Sequence, residues 1–231
     1  MAAYRQATLH ILTVIFQYLM PKYSVLICLA ISMLFLVTAT LLYPGGSIAD
    51  NNSVGFNWSK NFFSNLFLTK ALNGIANPSR IWALIGMGFN SIGYVLFFIH
   101  TSRKIPERHT KLVLKSIGIV NMLFTFLIAT ALHDIMVTVS STLTMLGLFY
   151  ITVAILKTKL HWLKFFCIGS LLLFYSTLYL YGTGNWGLMA VMQKVTFLCF
   201  ILLVLTIEYF TRAEDFQQNK PKRMAVTATN R

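Results

Sequence analysis

Ionisable side chains are rare in the long apolar stretches of this sequence, and three of them stand where they can do chemistry. His133 and Asp134 lie together between two apolar runs, and Lys194 lies inside the last run. An isolated charge at membrane depth costs about 2.5–3.5 kcal/mol on insertion scales. We therefore expect Lys194 to reach Asp134 and this pair to form the polar floor of a ligand pocket that opens to the outer leaflet, with His133 as a further polar contact to the ligand. The structural alternative is that Asp134 caps the helix after it and Lys194 extends to a polar surface.

Sequence patterns for catalysis and metal binding are weak. His133 and Asp134, together with Ser140 or Ser141, suggest a hydrolase or transferase with His133 as its base. The remaining histidines are scattered, and the sequence has no H-x-x-x-H or H-E-x-x-H pair that would bind zinc. It also has no G-x-S-x-G elbow, phosphate loop or dinucleotide fingerprint. The sequence thus favours a protein without enzymatic activity and predicts neither a metal nor a cofactor.

The composition places these residues in a membrane protein. Hydrophobic residues make up 57% of the 231 residues and charged residues only 11%, and the mean hydropathy is +0.69. A soluble domain carries about 25% charged residues. The high apolar content excludes a disordered chain, and three cysteines are too few for a disulfide scaffold. What remains is a polytopic membrane protein.

Six apolar segments are long enough to cross a bilayer, since about 20 residues at 1.5 Å each span roughly 30 Å of hydrocarbon. The predicted spans are Tyr23–Leu42, Ile81–His100, Leu112–Leu132, Ile135–Leu156, Leu163–Tyr181 and Leu188–Tyr209. Backbone groups in lipid must be paired internally, and the period-2 alternation of barrel strands is absent, so we expect helices. The predicted fold is an all-α bundle of six transmembrane helices, with a turn at His133–Asp134 between the third and the fourth.

The positions of lysine and arginine predict the orientation of the bundle. Of 19 basic residues, Lys60, Lys70 and Arg80 lie in one long connection and Lys194 lies inside a span. All the others precede the first span, follow the sixth, or lie at or near the second and fourth connections. By the positive-inside rule, both termini are cytoplasmic and the long connection faces outward. The net charge of +13 follows from this bias, so we expect contact with anionic lipid headgroups and no binding of nucleic acid.

Two terminal segments flank the predicted membrane domain, which comprises residues 23–210. Residues 1–22 are expected to form a helix in the cytoplasmic interface that ends at Pro21. Residues 211–231 are polar and basic, and we expect a disordered cytoplasmic tail.

The outer loop, residues 43–80, is too long to lack structure of its own. Ser59 is the predicted N-cap of a short amphipathic helix that ends at Asn73–Gly74. The aromatic face of this helix would rest on the mouth of the bundle or on the outer leaflet. Further polar contacts to a ligand are expected from Asp50, Asn57 and Asn61.

Small and amide residues in the second and third spans predict close helix packing. Gly86, Asn90 and Gly93 share one face of the second span, and Asn121 lies at the middle of the third. Small residues allow helix backbones to approach closely, and an interhelical amide hydrogen bond contributes about 0.6 kcal/mol in a membrane. We expect these four residues to act in helix packing.

The outer loop also carries a family resemblance. Its motifs are Tyr43-Pro44-Gly45-Gly46-Ser47, Gly55-Phe56-Asn57-Trp58, Asn61-Phe62, Asn65-Leu66, Asn73-Gly74 and Asn77-Pro78, and His133–Asp134 fits the same pattern. With these motifs the chain resembles an uncharacterised group of bacterial six-span membrane proteins. That group is distantly similar to the DRAM-like and Sfk-like membrane proteins, which are linked to lipid and GPI handling. The resemblance implies six helices, cytoplasmic termini, an ordered outer loop and a connection with lipid.

Together these observations predict an integral, multi-pass protein of the bacterial cytoplasmic (inner) membrane. We expect it to bind, organise or move a lipid or another amphiphile at the outer leaflet. The alternatives are a membrane-embedded lipid hydrolase or transferase, and a non-catalytic subunit recognised through the small-residue face of the second span. The expected partners are membrane lipids, a second copy of the chain or another membrane protein.

Overall fold

Six long helices make up most of the structure. A computed structural model describes residues 2–128, 130 and 132–217, and the side chains of residues 2–21 and of Asp134 lie outside the described part. The helices are α1 Ala2–Leu42, α2 Ser79–Lys104, α3 Arg108–Leu127, α4 His133–Leu156, α5 His161–Thr183 and α6 Trp186–Phe210. Each is long enough and apolar enough to cross a membrane. The predicted six-helix bundle is confirmed.

The connections alternate between two ends of the bundle. At one end, here called the loop end, lie the long loop (residues 43–78), the turn between α3 and α4, and the turn between α5 and α6. At the other end, here called the basic end, lie the α2–α3 and α4–α5 connections and the segment after α6. The long loop is the one large connection, so it is the natural place for a cover over the bundle.

The third helix ends earlier than the sequence predicted. Helix α3 stops at Leu127, not at Leu132. The hydroxyl of Thr130 donates to the carbonyl of Leu127 at 2.7 Å, and the N–H of Leu132 donates to that hydroxyl at 3.2 Å. A threonine side chain that bonds its own backbone in this way favours a turn over a helix. The reversal therefore precedes His133, which begins α4.

Helix α1 corrects the prediction for the N-terminal segment. It runs without interruption from Ala2 to Leu42, through Pro21. A proline removes one backbone donor, but its fixed φ is close to the helical value, and long membrane helices tolerate it. The predicted end at Pro21 is therefore wrong, whereas the placement of residues 2–21 in the interface stays a prediction.

Five of the helices form a closed ring around the axis of the bundle. Neighbouring helices contact each other in chain order from α2 to α6, and α2 also contacts α6, which closes the ring. Helix α1 packs outside this ring, chiefly against α2 and to a lesser extent against α6. The interior of the bundle is thus enclosed by α2–α6.

The small-residue face of α2 packs against α1. Ala83 is fully buried. A Cβ on Gly86 would lie 3.1 Å from Leu36 Cγ, and one on Gly93 would lie 3.0 Å from Leu29 Cδ2. Because α1 of the same chain covers this face, it is not available to a partner subunit, and the third alternative loses its proposed surface.

The segment after α6 is ordered further than the sequence predicted. Residues Ala213–Phe216 form one 3-10 turn. Thr211 is buried and donates to the carbonyl of Ile207 at 2.7 Å, and Phe216 packs on the main hydrophobic core. The expectation of disorder is thus wrong for residues 211–217, because an aromatic residue holds them on the bundle. Residues 218–231 lie outside the described part.

Candidate ligand cavity

Two connected cavities occupy the interior of the bundle. The lower one, of about 260 Å³, lies within the ring and is lined by residues of α2–α6. The upper one, of about 610 Å³, lies beneath the long loop. Asn90, Ser141, Gln193 and Phe197 are among the residues that line both. Because they share these residues, the two cavities adjoin each other between the loop end and the middle of the bundle.

A band of uncharged polar residues surrounds the lower cavity, here called the polar band. It consists of Asn90 and three interhelical pairs: Asn121 with Thr144, Thr125 with Ser140, and Thr177 with Thr196. The pairs are joined by side-chain hydrogen bonds of 2.8, 2.9 and 2.6 Å respectively. Two of them link α3 to α4 and the third links α5 to α6. Polar residues of this kind fix the relative rotation of membrane helices.

Two amide oxygens in the polar band have no hydrogen-bond partner among the described residues. These are Oδ1 of Asn90 and Oδ1 of Asn121, whose residues are 9% and 8% exposed. The hydroxyl of Ser91, which also lines the lower cavity, is likewise buried without a partner. A buried polar atom left unpaired costs about 1–3 kcal/mol. Because the residues that carry these atoms line the cavity, a hydrogen-bond donor bound there would offset this cost.

Most of the other residues that line the two cavities are apolar, although Ser64, His133 and Gln193 add polar groups to the wall of the upper one. Phe97, Phe200, Leu203 and Ile207 line the lower cavity. Phe62, Phe67, Trp186 and Leu36 line the mouth beneath the long loop. None of the described lining residues is Lys, Arg, Asp or Glu. Apolar walls with a few placed polar groups are typical of small-molecule sites.

The long loop is held together by buried asparagines. The amide nitrogen of Asn61, a fully buried residue, donates to the carbonyl of Gly46 at 2.7 Å, and its oxygen accepts from Asn57 N at 2.8 Å. Asn77 donates to the carbonyls of Leu66 and Leu68 at 3.2 and 2.9 Å. These side chains satisfy backbone groups that a buried loop would otherwise leave unpaired.

A buried tyrosine ties the start of the loop to its far half. Tyr43 is 2% exposed and accepts a hydrogen bond from Leu72 N at 3.1 Å. Burial raises the pKa of Tyr43, and the hydrogen bond from Leu72 partly offsets that rise. The phenol is therefore neutral at physiological pH and serves as a fixed acceptor.

The helix predicted within the loop is shorter than expected. A single 3-10 turn, Phe63–Phe67, replaces a helix from Ser59 to Asn73. Ser59 bonds back to Asn57 Oδ1 through both its N–H and its hydroxyl, at 3.0 and 2.8 Å, and so does not cap a helix. The N–H of Phe62 donates to Asn65 Oδ1 at 2.7 Å, which fixes the start of the turn. Side-chain amides thus replace helical hydrogen bonds in this loop.

Helix α6 anchors the underside of the loop through two neighbouring residues. Gln193 Oε1 accepts from Phe63 N at 2.9 Å. Lys194 Nζ donates to the carbonyls of Asn61 and Ala190, each at 2.5 Å, and lies 5.7 Å from the ring centroids of both Phe56 and Phe63. Carbonyl oxygens and aromatic faces both attract an ammonium group. In the described contacts, Lys194 fastens the loop to the bundle.

The predicted pair between Lys194 and Asp134 stays a prediction, because the side chain of Asp134 lies outside the described part. Its backbone is in the first turn of α4, and the N-cap of that helix is Leu132. His133 lines the upper cavity. Its Nδ1 lies 2.7 Å from the carbonyl of Ile128, so this nitrogen carries the proton and donates to it.

The described residues do not assemble the predicted pairing of His133 with a serine. Among them, no hydrogen bond joins His133 to Ser140 or Ser141, and the hydroxyl of Ser140 pairs with Thr125 instead. A general base must lie within about 2.6–3.2 Å of the proton it removes. Within the described residues no group of three His, Cys, Asp or Glu side chains is arranged to hold a metal ion.

Three predicted ligand contacts serve the loop itself. Asp50 Oδ1 accepts from Asn52 N at 2.9 Å within an exposed turn. Asn57 and Asn61 bond to loop residues as described, and none of the three lines either cavity. Their positions do not support a direct contact with a ligand in the bundle, because none of the three reaches the wall of a cavity.

The residues predicted for helix packing divide into two groups. Gly86 and Gly93 lie against α1. Asn121 bonds across to Thr144 through its nitrogen, but its oxygen and that of Asn90 are unpartnered at the cavity. Among the described residues, the oxygen of Asn90 therefore contributes nothing to the expected interhelical hydrogen bond.

Sequence reasoning missed two polar residues of α6. Gln193 lines both cavities. Glu208, near the basic end, has a side chain only 7% exposed, which lies 2.6 Å from His100 Nδ1 and 3.8 Å from Lys104 Nζ. The signal for Glu208 was a lone acidic residue in the last apolar run, where an unpaired charge is costly. This cluster joins α2 to α6 at the closure of the ring.

Comparison with known proteins adds no homologue to this geometry. No family model, no curated protein and no solved structure matches the chain. Function must therefore be argued from the cavity itself.

Proposed function

We propose that this protein binds a lipid or another amphiphile in the cavity beneath its long loop. The proposal rests chiefly on the two connected cavities, of about 260 and 610 Å³. Ligand pockets in proteins commonly have volumes of about 300–1,000 Å³. Aromatic and aliphatic walls suit a hydrocarbon chain, and the polar band supplies sites for a polar group. The site thus has apolar walls for the hydrocarbon part of an amphiphile and polar groups for its polar part.

Charge asymmetry supports an orientation for this site. Lysine and arginine cluster at the basic end, including Arg103, Lys104 and Arg108 on one connection and Lys157 and Lys159 on the next. The positive-inside rule places that end in the cytoplasm. The loop end then faces the outer leaflet, so the ligand is taken from or delivered to that leaflet. The resemblance of the loop motifs favours a bacterial cytoplasmic membrane.

Native mass spectrometry of the detergent-purified protein tests the proposal. We expect the wild-type protein to retain a lipid of the expression host, and to take one up again after detergent has removed it. A substitution that fills the shared part of the cavity, Ser141→Leu, should lower retention at least tenfold. The control is Ser176→Leu on α5, where the serine is exposed and bonds only to its own helix.

Each outcome bears on the proposal. Loss of lipid from Ser141→Leu but not from Ser176→Leu, with both variants equally monodisperse, supports a ligand inside the bundle. A wild-type protein that neither retains nor takes up any lipid rejects the proposal. Equal retention by both variants would show that bound lipid sits on the outer surface of the helices.

A further inference from the structure

The two unpartnered amide oxygens of the polar band restrict the chemistry of the ligand. Asn90 Oδ1 and Asn121 Oδ1 are buried without a partner, and the side chains to which they belong line the lower cavity. An amide oxygen carries no hydrogen and can only accept a hydrogen bond. A ligand that satisfies these atoms must bring its own donor, an O–H or an N–H group.

The surroundings of these oxygens also restrict the charge of the ligand. The described residues that line the two cavities include no lysine or arginine. A phosphate or carboxylate seated there would lose its hydration without gaining a counter-charge, which is strongly unfavourable at low dielectric. An ammonium group would meet no carboxylate among the same residues. An uncharged polar group is the one that this wall accommodates.

The depth of the oxygens distinguishes the site from ordinary headgroup contact. Asn90 lies 11 positions after Ser79, the first residue of α2, which corresponds to roughly 16 Å along the helix. Away from the loop, a donor at this depth meets apolar residues such as Phe97 and Phe200. Towards the loop it meets aromatic residues interspersed with Ser64 and His133. A ligand with a single small polar group on a long apolar chain matches this order of walls along the cavity. A large polar headgroup at the depth of Asn90 does not.

We infer that the ligand is a neutral, hydroxyl-bearing lipid, such as a long-chain alcohol or a monoacylglycerol, whose O–H donates to Asn90 Oδ1. This inference rests on the proposed function and names its ligand class. Asn121 Oδ1 is the second acceptor, for a lipid that carries two hydroxyls. A buried water is the competing partner for either oxygen, because polar cavities commonly hold ordered water.

Three probes with the same hydrocarbon chain test the inference: 1-hexadecanol, its methyl ether and palmitate. They are titrated against the delipidated full-length protein at pH 8 by native mass spectrometry, so that palmitate is ionised. We expect hexadecanol to bind about tenfold more tightly than the ether, which keeps the oxygen but lacks the donor. We expect palmitate to bind at least tenfold more weakly than the alcohol.

The variant Asn90→Leu separates recognition from structure. It removes the acceptor with little change in side-chain volume, so the alcohol and the ether should then bind equally and the affinity for the ether should change less than threefold. A merely structural role of Asn90 would weaken both probes together and leave their ratio unchanged. The ratio is therefore the informative readout.

The outcomes distinguish failure of this inference from failure of the proposed function. If no probe binds and no host lipid is retained, both fail. If the alcohol and the ether bind the wild-type protein equally, water satisfies Asn90 and only the inference fails. Tightest binding of palmitate would also overturn it, as would a preference for the alcohol that survives in Asn90→Leu.

Discussion

Gly46 is a residue at which the long loop has no space for a single added methyl group. Its φ is +81°, and a Cβ placed on it would lie 2.5 Å from the carbonyl carbon of Leu72 and would overlap the backbone nitrogen of Asn73. Its carbonyl also accepts the amide of Asn61 at 2.7 Å. The two halves of the loop meet here, backbone against backbone.

The cost of Gly46→Ala follows from these two features. A left-handed backbone costs a non-glycine residue about 1–2 kcal/mol, and overpacking of a site without space costs about 1–3 kcal/mol. Gly74→Ala is the matched control, because Gly74 has a φ of +85° but nothing within 4 Å of its added Cβ. We therefore expect about 2–5 kcal/mol for Gly46→Ala and about 1–2 kcal/mol for Gly74→Ala.

Amide hydrogen exchange, followed by mass spectrometry in detergent, measures these costs within the loop. Local opening of residues 43–78 should rise roughly 30- to 3,000-fold in Gly46→Ala and roughly 5- to 30-fold in Gly74→Ala, since about 1.4 kcal/mol corresponds to a factor of ten. Peptides from the basic end should exchange as in the wild-type protein. If the two variants loosen the loop equally, the contact between its halves contributes nothing and this reasoning is wrong.

Three further substitutions test other contacts. Lys194→Met removes a charged donor to two carbonyls and should destabilise the loop by about 1.5–3 kcal/mol, seen as faster amide exchange in residues 56–63. The control is Lys60→Met, because Lys60 is exposed. Equal effects of the two variants would exclude the anchoring role of Lys194. Gly93→Ala should lower thermal stability by about 1–3 kcal/mol through overpacking against α1, whereas Gly88→Ala, in open space, should be neutral or stabilising by up to about 1 kcal/mol; a stabilising Gly93→Ala would contradict the close packing. Glu208→Gln should lower the melting temperature, because it leaves the ammonium of Lys104 without its carboxylate; an unchanged melting temperature would show that the cluster is dispensable.

The six helices were predictable because hydrocarbon imposes one dominant condition, the burial of apolar residues over a fixed length. The end of α3 was not predictable, because the residues between its observed end at Leu127 and the predicted end at Leu132 are about as apolar as the helix itself. At the turn that follows the helix, both the N–H and the hydroxyl of Thr130 donate to the carbonyl of Leu127, and hydropathy does not register local hydrogen bonds of this kind.

The site was predictable only in part. Asn90 was recognised as a polar residue at the middle of a span, but its spacing from Gly86 suggested a packing role. Four residues at about 100° each place Asn90 about 40° around the helix from Gly86. That offset is enough to move its amide from the α1 contact to the cavity. Helical periodicity predicts the direction in which a side chain points only to within about this angle. It therefore does not distinguish a residue that contacts α1 from a neighbouring one that lines the cavity.

The roles of Asn61 and Glu208 depend on contacts that no local pattern carries. Asn61 bonds to Gly46, and Glu208 bonds to His100, about a hundred residues away in the chain. A sequence shows that such residues need partners, because their isolation is costly. It does not show which partners the fold brings to them.

Closure of the ring by α2 against α6 has a consequence for biogenesis. A ribosome delivers helices in order, so the second must wait in the bilayer until the last of the six has been inserted. Until then the central space is an open groove whose asparagine and threonine side chains face lipid. Newly made protein would thus enclose its central cavity in one late step, and a chain arrested before Glu208 emerges should enclose no such cavity.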